Sequence, residues 1–168
     1  MKIFITGNMG YVGSVLTHFL RSKSNNTETI GYDTGFFGHA LTGADFIPEH
    51  FVSTQHIGDI RSIQKSMLEG IDAVVHLAGI SNDPIGNEFE KVTADINQTA
   101  SVRLAKIASS VGVKNFVFAS SCSMYGHASN QSRKETDLTN PLTAYARSKI
   151  QTENELSNTN LGEMLFTS

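Results

Sequence analysis

Several features that would place this 168-residue chain in a specialised class are absent from its sequence. A single cysteine, Cys122, excludes an intramolecular disulfide framework. A net charge of −3 without a basic run gives no reason to expect nucleic acid or an anionic membrane as a partner. No apolar stretch is long enough to cross a bilayer, and the first residues lack the layout of a secretory signal. We therefore expect one cytoplasmic globular domain, because 39% hydrophobic residues are enough for an ordinary core.

Short apolar runs alternate with longer amphipathic patterns along the chain. The runs predict buried strands because they are continuously apolar and rich in β-branched residues. Strands of this kind, alternating with helices, predict a Rossmann-type α/β fold, a doubly wound parallel sheet with helices on both faces. The predicted strands are residues 2–6, 29–33, 51–56, 73–77, 115–119 and 163–167, the predicted helices are residues 11–22, 61–68, 88–111 and 140–157, and residues 34–50 form a long loop.

Two of the predicted helices carry boundary signals. Residues 88–111 form one apolar stripe at steps of three and four, and Gly112 ends it as a C-terminal glycine does. Asn140 and Pro141 are typical of a cap followed by proline in the first turn. The apolar residues that share one face of the first helix are Val12, Val15, Leu16 and Phe19.

A glycine-rich segment lies directly between the first strand and the first helix. Gly7 permits a tight turn, Gly10 permits close approach of the backbone to a pyrophosphate, and Gly13 permits close packing of helix on strand. The helix N-terminus adds free N–H groups and a partial positive charge. A glycine turn without a ligand has the same composition, but the position between strand and helix favours a dinucleotide.

Acidic residues follow the second and third predicted strands. Asp33 lies 20 residues after Gly13, where a carboxylate accepts hydrogen bonds from the adenosine ribose and repels the 2′-phosphate of NADP. No basic residue follows it directly, so the sequence favours NAD; the alternative is that Asp33 only begins a turn. Asp59 is placed either to bond the adenine amino group or to cap the helix that follows. The small pair Ala78 and Gly79 would let a cofactor lie against the backbone.

A tyrosine and a lysine four residues apart suggest acid–base chemistry. Tyr145 and Lys149 share one face of the last helix, where an ammonium beside a phenol favours the phenolate. Such a base can remove a hydroxyl proton as a hydride leaves the same carbon. The alternative is an exposed pair on an amphipathic helix. The serines in residues 120–126 follow the fifth strand, and a hydroxyl there can bond a reacting oxygen; a simple turn would have the same composition.

Taken together, these motifs resemble the extended short-chain dehydrogenase/reductase family, and within it the UDP-sugar 4-epimerases. They occur in the family's order: TGNMGYVG, Asp33, GDIR, HLAG, SSCSMYG and YARSK. The resemblance implies that Tyr145 is the base, that Lys149 is its partner and a ribose ligand, and that Ser121 is the third catalytic residue, with Ser123 as the alternative. It also implies that Asn97 helps to hold the active-site backbone. The implied cofactor-binding residues are Gly7, Gly10, Tyr11, Val12, Gly13, Asp33, Asp59, Ile60, Leu77, Ala78, Gly79, Tyr145 and Lys149.

The same resemblance separates neighbouring chemistries. Nucleotide-sugar 4,6-dehydratases carry an Asp–Glu pair after the catalytic hydroxyl residue, and this chain has Cys122 and Ser123 there. We interpret Cys122 as a small packed residue. His76, at the end of a buried strand, is interpreted as a hydrogen-bonded core histidine, and the other histidines show no metal-ligand spacing.

The family's usual C-terminal substrate domain is expected to be missing, so that residues 1–168 form an NAD-binding domain carrying the Ser–Tyr–Lys set. The expected activity of the parent enzyme is transient oxidation of a nucleotide-sugar hydroxyl by bound NAD. The alternatives are a non-catalytic NAD-binding module and a reductase or dehydratase of the same family. The expected partners are a nucleotide sugar and a second copy of the chain, joined through the helices predicted at residues 88–111 and 140–157.

Overall fold

The computed structural model describes residues 1–24, 26–36, 38, 47–81, 83–127 and 132–168. They contain a six-stranded sheet in the order β3-β2-β1-β4-β5-β6, and every neighbouring pair is parallel. The order reverses between β1 and β4, which confirms the doubly wound, Rossmann-type fold and puts the ligand-binding crevice beyond the carboxyl ends of these two strands. The strands are β1 (Lys2–Thr6), β2 (Glu28–Asp33), β3 (Thr54–Ile57), β4 (Ala73–His76), β5 (Asn115–Phe118) and β6 (Leu165–Thr167).

Five α-helices and several tighter turns connect these strands within the described residues. The α-helices are α1 (Tyr11–Lys23), α2 (Asp83–Glu88), α3 (Glu90–Ala94), α4 (Ser101–Ser110) and α5 (Ala144–Ser157). A π-helical segment, Asp95–Ala100, joins α3 to α4 and is called the π turn below. The 3-10 turns are Pro48–Phe51, Ile60–Ser62, Lys65–Leu68 and Cys122–Tyr125.

Several predicted boundaries are wrong for local reasons. The third strand begins at Thr54 because Pro48–Phe51 closes into a 3-10 turn first. The helix predicted at residues 61–68 is two short 3-10 turns. The last helix begins at Ala144, because the Thr143 hydroxyl accepts from Ala146 N at 3.1 Å and forms the cap. Residues 39–46, in the middle of the predicted long loop, lie outside the described residues.

The long helix predicted at residues 88–111 is a chain of shorter elements. It begins earlier, at Asp83, and is interrupted at Phe89, whose φ of −121° and ψ of 52° are not helical. The π turn then widens the helix before α4. Phe89 and Val92 are exposed, so the apolar stripe is buried only from Ile96 onward. Gly112, with a φ of 85°, lies just beyond the helix, which confirms the predicted end.

The main core lies on one face of the sheet. Phe4, Val74, Phe116 and Phe118 alternate inward on three adjacent strands, and each is at most 2% exposed. They belong to one apolar cluster with residues of α4 and α5, including Leu104, Ala105, Ala108 and Leu156. Because Leu156 of α5 belongs to this cluster, the packing positions α5 against the sheet.

The opposite face is covered only in part. Because right-handed connections run one way from β1 to β2 and the other way from β4 to β5, their helices lie on opposite faces. On the α1 face, Ile3 and Ile5 are buried, whereas Val117 of β5 is 41% exposed and Leu165 of β6 is 68% exposed. We call the surface of Val117 and Leu165 the open face. The predicted helices thus lie on both faces of the sheet, and these two apolar residues of β5 and β6 stay exposed on the α1 face.

The first helix turns its small residues inward. Gly13 and Thr17 are buried, whereas Val12, Val15 and Phe19, which share the predicted apolar face, are each more than half exposed. Close approach of the helix to the sheet thus depends on a glycine and a threonine. The apolar stripe that identifies the helix from sequence faces outward in this chain.

Candidate cofactor and active site

The glycine turn between β1 and α1 brings three backbone segments together. Gly7 has a φ of 71°, and its N–H donates to Tyr32 O at 2.9 Å. A Cβ built on Gly7 would lie 2.6 Å from Ala78 N, and one built on Gly13 would lie 2.3 Å from Gly7 O. Both positions therefore require glycine for contact within the protein itself. The Gly7 contact places the segment after β4 directly against the turn, and the Gly13 contact places the start of α1 there.

The N-terminus of α1 has the donor set that an anionic phosphate requires. Gly10 is the N-cap, no side chain caps it, and the first turn contains no acidic residue. Tyr11 is 93% exposed, and a Cβ on Gly10 would meet only Gly7 O, at 3.3 Å. Because helix N-terminal amides and the helix dipole both attract anions, this end of α1 fits a pyrophosphate.

Asp33 connects the glycine turn with the end of β2. Its Oδ2 accepts from Met9 N at 3.0 Å, and its Oδ1 accepts from Gly35 N at 2.9 Å. The carboxylate is partly buried. A second pair, Asn8 and Gln55, exchanges two side-chain amide hydrogen bonds at 2.6 and 3.2 Å beneath the turn. The side chains of Asn8 and Gln55, which the sequence alone did not single out, therefore stabilise the loop that would hold the cofactor.

Asp59 has the capping role that was one of its two predicted alternatives. Its Oδ1 accepts from Arg61 N at 2.8 Å and so caps the 3-10 turn Ile60–Ser62. The Arg61 guanidinium also donates to both carboxylate oxygens, and these hydrogen bonds hold the pKa of Asp59 below its ordinary value. Ile60 is buried in the core at 5% exposure. Both side chains are therefore engaged within the protein.

Tyr145 and Lys149 lie on α5 with the amine buried. Lys149 is 4% exposed, and its Nζ donates to Ala119 O at 2.7 Å. The same Nζ lies 4.6 Å from the centroid of the Phe118 ring and 5.7 Å from that of Tyr145. Burial lowers the pKa of Lys149 to about 8, and the nearby Glu153 opposes this shift. The predicted pair is therefore not a surface feature, since the amine is enclosed beside the phenol ring.

The serines after β5 form a small turn. The Ser121 hydroxyl accepts from Ser123 N at 3.2 Å and lies 2.9 Å from the Ser123 hydroxyl, so both candidate serines are hydrogen-bonded to one another. Ser120 Oγ is buried without a hydrogen-bond partner among the described residues. Cys122 is exposed, so its interpretation as a packed residue is wrong, because the turn directs it outward.

Asn97 fastens the segment after β4 to the helix that carries Tyr145. Its Oδ1 accepts from Ile80 N at 2.8 Å, and its Nδ2 donates to Ile80 O at 2.9 Å and to Ser148 Oγ at 3.1 Å. The Ser148 hydroxyl in turn donates to Tyr145 O at 2.7 Å. A Cβ on Gly79 would lie 3.0 Å from Asn97 Oδ1 and 3.8 Å from Lys149 Nζ. The cofactor-side and catalytic-side residues thus meet around Asn97.

The arrangement collects most of the predicted site at one edge of the sheet. The glycine turn, Asp33, Ala78, Gly79 and the α5 pair lie at the carboxyl ends of the strands, whereas Asp59 and Ile60 are bound into neighbouring structure. Sequence reasoning missed the supporting residues Thr6, Asn8, Gln55, Phe118 and Ser148. Within the described ranges, no group of three potential ligands could hold a metal ion, and no helix is long and apolar enough to cross a membrane.

A glycine turn after the first strand of a doubly wound sheet, with a Tyr–Lys pair at the same edge, is the arrangement expected of the short-chain dehydrogenase/reductase class. The chain belongs to the NAD dependent epimerase/dehydratase family, whose profile matches residues 3–164. The fold and the resemblance read from the motifs are thereby confirmed.

Two relatives described as UDP-glucose epimerases support the assignment to this family. The chain is 32% identical over 161 residues to a protein of Bacillus subtilis described as an uncharacterized UDP-glucose epimerase, YtcB, covering 91% of this chain and 50% of that protein. It is 27% identical over 164 residues to a UDP-glucose 4-epimerase of Streptomyces lividans, covering 93% and 46%. The chain therefore spans about half the length of the curated relatives that it matches.

A solved structure has the same fold over nearly the whole chain. MoeE5 in complex with UDP-glucose and NAD superposes with a TM-score of 0.82 at 25% identity, covering 99% of this chain and 52% of that one. The NDP-hexosamine 5,6-dehydratase TunA superposes with the same TM-score at 23% identity and shows the fold alone.

The buried amine of Lys149 should leave a signature in the pH dependence of stability. Its pKa falls from 10.5 to about 8 on folding, so between these values the unfolded chain binds more protons than the folded protein. The free energy of unfolding should therefore rise with pH across this window, by about 3 kcal/mol in total, and this gain is lost as the pH falls to 8. Lys149→Met should remove the rise in urea unfolding experiments, and the half-exposed Lys106→Met should retain it. Parallel curves for wild type and Lys149→Met would contradict the shift.

Proposed function

We propose that this chain is the NAD-binding and proton-transferring half of a nucleotide-sugar epimerase-type oxidoreductase that works in the cytoplasm. The observation that carries the proposal is the enclosed Lys149 amine beside the Tyr145 ring, at the same edge of the sheet as the glycine turn. The substrate class is inferred from the UDP-glucose epimerases among the relatives. The Cys122–Ser123 pair after Ser121 disfavours a dehydratase that needs carboxylates at these positions.

The residues present fit NAD. The uncapped N-terminus of α1 would take the pyrophosphate, and the partly buried Asp33 carboxylate would accept from the adenosine ribose. Asp33 also keeps a 2′-phosphate away by repulsion, so NAD is preferred to NADP. Lys149 would donate a hydrogen bond to the ribose that carries the nicotinamide. When bound, NAD supplies the hydride acceptor that the protein side chains lack.

The chain's own residues would then move the proton. Tyr145 would accept the proton of a sugar hydroxyl as that carbon is oxidised, and would return the proton on reduction. The Lys149 ammonium, 5.7 Å from the Tyr145 ring, would stabilise negative charge that develops on the phenol oxygen during this transfer. Ser121 would donate a hydrogen bond to the reacting sugar oxygen, and Ser123 is the alternative donor because its hydroxyl lies 2.9 Å from that of Ser121.

The complete enzyme is proposed to need more chain than these 168 residues. Relatives are about twice as long, and the open face of Val117 and Leu165 leaves part of a parallel sheet bare, which such sheets do not tolerate well. We therefore propose that polypeptide equivalent to the other half of the relatives covers the open face and supplies most sugar contacts. By the same reasoning, turnover by this chain alone is expected to be slow.

Two copies of the chain are proposed to associate through α4 and α5. A groove on the outer side of these helices is lined by Val102, Arg103, Lys106, Ile107 and Glu155, and so combines apolar and charged groups. Sedimentation equilibrium should give a dimer, and Ile107→Glu should shift it towards monomer. A monomer at all concentrations would contradict this part of the proposal.

A second candidate function is a non-catalytic NAD-binding module. The observation that favours it is that the two candidate catalytic hydroxyls, of Ser121 and Ser123, are hydrogen-bonded to each other. Titratable NAD together with no reduction of bound NAD by UDP-glucose, even after addition of the part of a relative that this chain does not match, would support the module and exclude the enzyme.

The cofactor assignment can be tested with two acidic residues that the structure treats differently. Asp33→Ser should weaken NAD binding about tenfold, because it removes one charged hydrogen-bond acceptor. It should also reduce the ratio of the affinity for NAD to the affinity for NADP, because the negative charge that repels the 2′-phosphate is lost. Asp59→Asn should change neither by more than about twofold, since asparagine still caps the 3-10 turn. Calorimetric titration with NAD and NADP measures both. Equal losses in the two variants would move the adenosine site towards Asp59, and no NAD binding by the folded wild type would overturn the proposal.

A further inference from the structure

A chain of buried hydrogen bonds joins the two halves of the candidate site, and His76, the last residue of β4, lies at its centre. The side chain is fully buried. Its Nδ1 lies 2.6 Å from Thr6 Oγ1, directly before the glycine turn, and its Nε2 lies 2.6 Å from Ser101 Oγ, at the start of α4. The ring therefore spans from the cofactor-side strand β1 to the helix that follows the π turn.

The neighbouring hydrogen bonds fix the direction of each contact. The Ser101 hydroxyl donates to Asn97 O at 2.7 Å, so its oxygen accepts from Nε2–H of His76. In a neutral ring Nδ1 then has no proton and accepts from the Thr6 hydroxyl, whose oxygen accepts from Ala78 N at 3.3 Å. The other tautomer would use the Ser101 proton for Nε2 and leave the bond to Asn97 unmade.

The chain continues from Asn97 to the catalytic helix. The Asn97 carbonyl lies in the π turn, and the Thr152 hydroxyl of α5 shares its proton between this oxygen at 3.0 Å and Ser148 O at 2.8 Å. Its side-chain amide holds Ile80 N, Ile80 O and Ser148, as described above. Widened turns of this kind are not stable by themselves and recur at functional sites, where side chains replace the regular helical contacts.

We propose that His76 is a positioning residue. As a neutral imidazole protonated at Nε2, it holds the end of β1 next to the glycine turn in a fixed position relative to the π turn. It thereby sets where Asn97 places Ile80 and the helix that carries Tyr145 and Lys149. The role within a catalytic cycle rests on the proposed function, whereas the hydrogen-bond chain itself does not. The rings of Phe116 and Phe118 lie 6.0 and 5.8 Å from the imidazole ring. A phenylalanine would fill this space but would leave two hydroxyl groups without their shared partner.

The neutrality of the ring has independent support. Burial, reinforced by the positive charge of Lys149, lowers the pKa of His76 to about 3. Nitrogen NMR of the imidazole should therefore show a neutral ring protonated at Nε2, with no titration between about pH 5 and pH 8. A signal from an Nδ1-protonated or charged ring in this range would overturn the assignment.

The positioning role is tested by amide hydrogen exchange in His76→Phe, with Val74→Ala as the matched control. Val74 is equally buried on the same strand but lies in the apolar core. His76→Phe should speed amide exchange at Ile80 because the hydrogen bond from Ile80 N to Asn97 Oδ1 loosens. The increase at Ile80 should be about tenfold or more larger than the increase at the core residue Leu104 in the same variant. Val74→Ala should change both amides equally. Equal changes in both variants would reduce His76 to a packing residue.

Two further measurements separate this proposal from the proposed function. His76→Phe should weaken NAD binding about tenfold while Val74→Ala of similar thermal stability does not, because only the first loosens the site. If the wild type bound no NAD, the proposed function would fail, but the exchange of Ile80 would still decide the role of His76. Should His76→Phe not fold, Ser101→Ala removes the hydroxyl that links His76 to Asn97 O, at little change in volume, and must show the same selective exchange; its absence would overturn the proposal.

Discussion

Gly13→Ala is expected to abolish measurable NAD binding and to destabilise the chain, whereas Gly10→Ala should keep the stability and lose affinity alone. A Cβ on Gly13 would lie 2.3 Å from Gly7 O and 2.6 Å from Asn8 Cα. Neither atom can yield easily, because Gly7 N is bonded to Tyr32 O and the fully buried Asn8 is paired with Gln55. We expect a cost of about 3 kcal/mol or more, as for other overpacked sites.

The contrast with Gly10 separates packing from ligand binding. A Cβ on Gly10 would lie 3.3 Å from Gly7 O and otherwise points into open space, and the backbone φ of −79° is accessible to alanine. The free energy of unfolding should therefore fall by less than about 1 kcal/mol. A methyl group where the pyrophosphate approaches should still weaken NAD binding by about tenfold or more, or about 1.4 kcal/mol.

Urea unfolding without ligand and calorimetric titration with NAD measure the two effects separately. Wild-type affinity in Gly10→Ala would show that the pyrophosphate does not approach this residue, and the cofactor site would have to be placed elsewhere. Wild-type stability in Gly13→Ala would show that the helix does not approach the turn as closely as the structure has it.

The elements that sequence predicted well are those fixed by local rules. The β1–glycine turn–α1 unit could be predicted because an apolar run, three spaced glycines and a helical pattern are adjacent in the chain, and each is restrained by backbone sterics. Gly112 could be placed for the same reason. The sheet order follows from the alternation of strands and helices, since parallel strands need long connections and right-handed crossovers.

The errors arise where distant residues decide. Nothing local in residues 95–100 distinguishes a π turn from regular helix; the bonds from Ser101 and Thr152 to the Asn97 carbonyl come from one turn ahead and from another helix. Similarly, Thr143 displaces Asn140 as the cap because Asn140 is bound to the serine turn through Met124 O at 2.8 Å. Periodicity also does not reveal which apolar face finds a partner, and Val15 and Phe19 remain exposed.

The candidate catalytic groups show the same division. The i, i+4 spacing places Tyr145 and Lys149 on one side of α5, but the burial of the amine depends on Ala119 and Phe118, which lie about 30 residues earlier and enter only through the sheet. Ser121 and Ser123 remain equivalent candidates, because each hydroxyl is bonded to the other. The spacing therefore predicts which residues meet, and the packing determines their charge and orientation.

Tyr145→Phe should lower the rate at which a nucleotide sugar reduces bound NAD by about 10²- to 10⁴-fold, the usual contribution of a positioned acid–base group. The phenol is the candidate base on the catalytic helix, and its ring is only partly buried, so loss of one oxygen should leave folding and NAD affinity nearly unchanged. The matched control is Tyr125→Phe, another partly buried tyrosine, in the turn Cys122–Tyr125, which should keep the rate within about threefold.

The measurement is a single turnover of NAD-loaded protein with excess UDP-glucose, followed by the absorbance of NADH. The wild-type chain is the reference. Where the chain alone is too slow, the part of a relative that this chain does not match is added. A rate that falls equally in both tyrosine variants would assign the loss to packing. An undiminished rate in Tyr145→Phe would remove Tyr145 from the chemistry, and a rate lost in Lys149→Met but not in Tyr145→Phe would place the base elsewhere near the amine. Loss confined to Tyr145→Phe, at unchanged NAD affinity, identifies an interaction made only during proton transfer, since a residue that merely bound the cofactor would alter both.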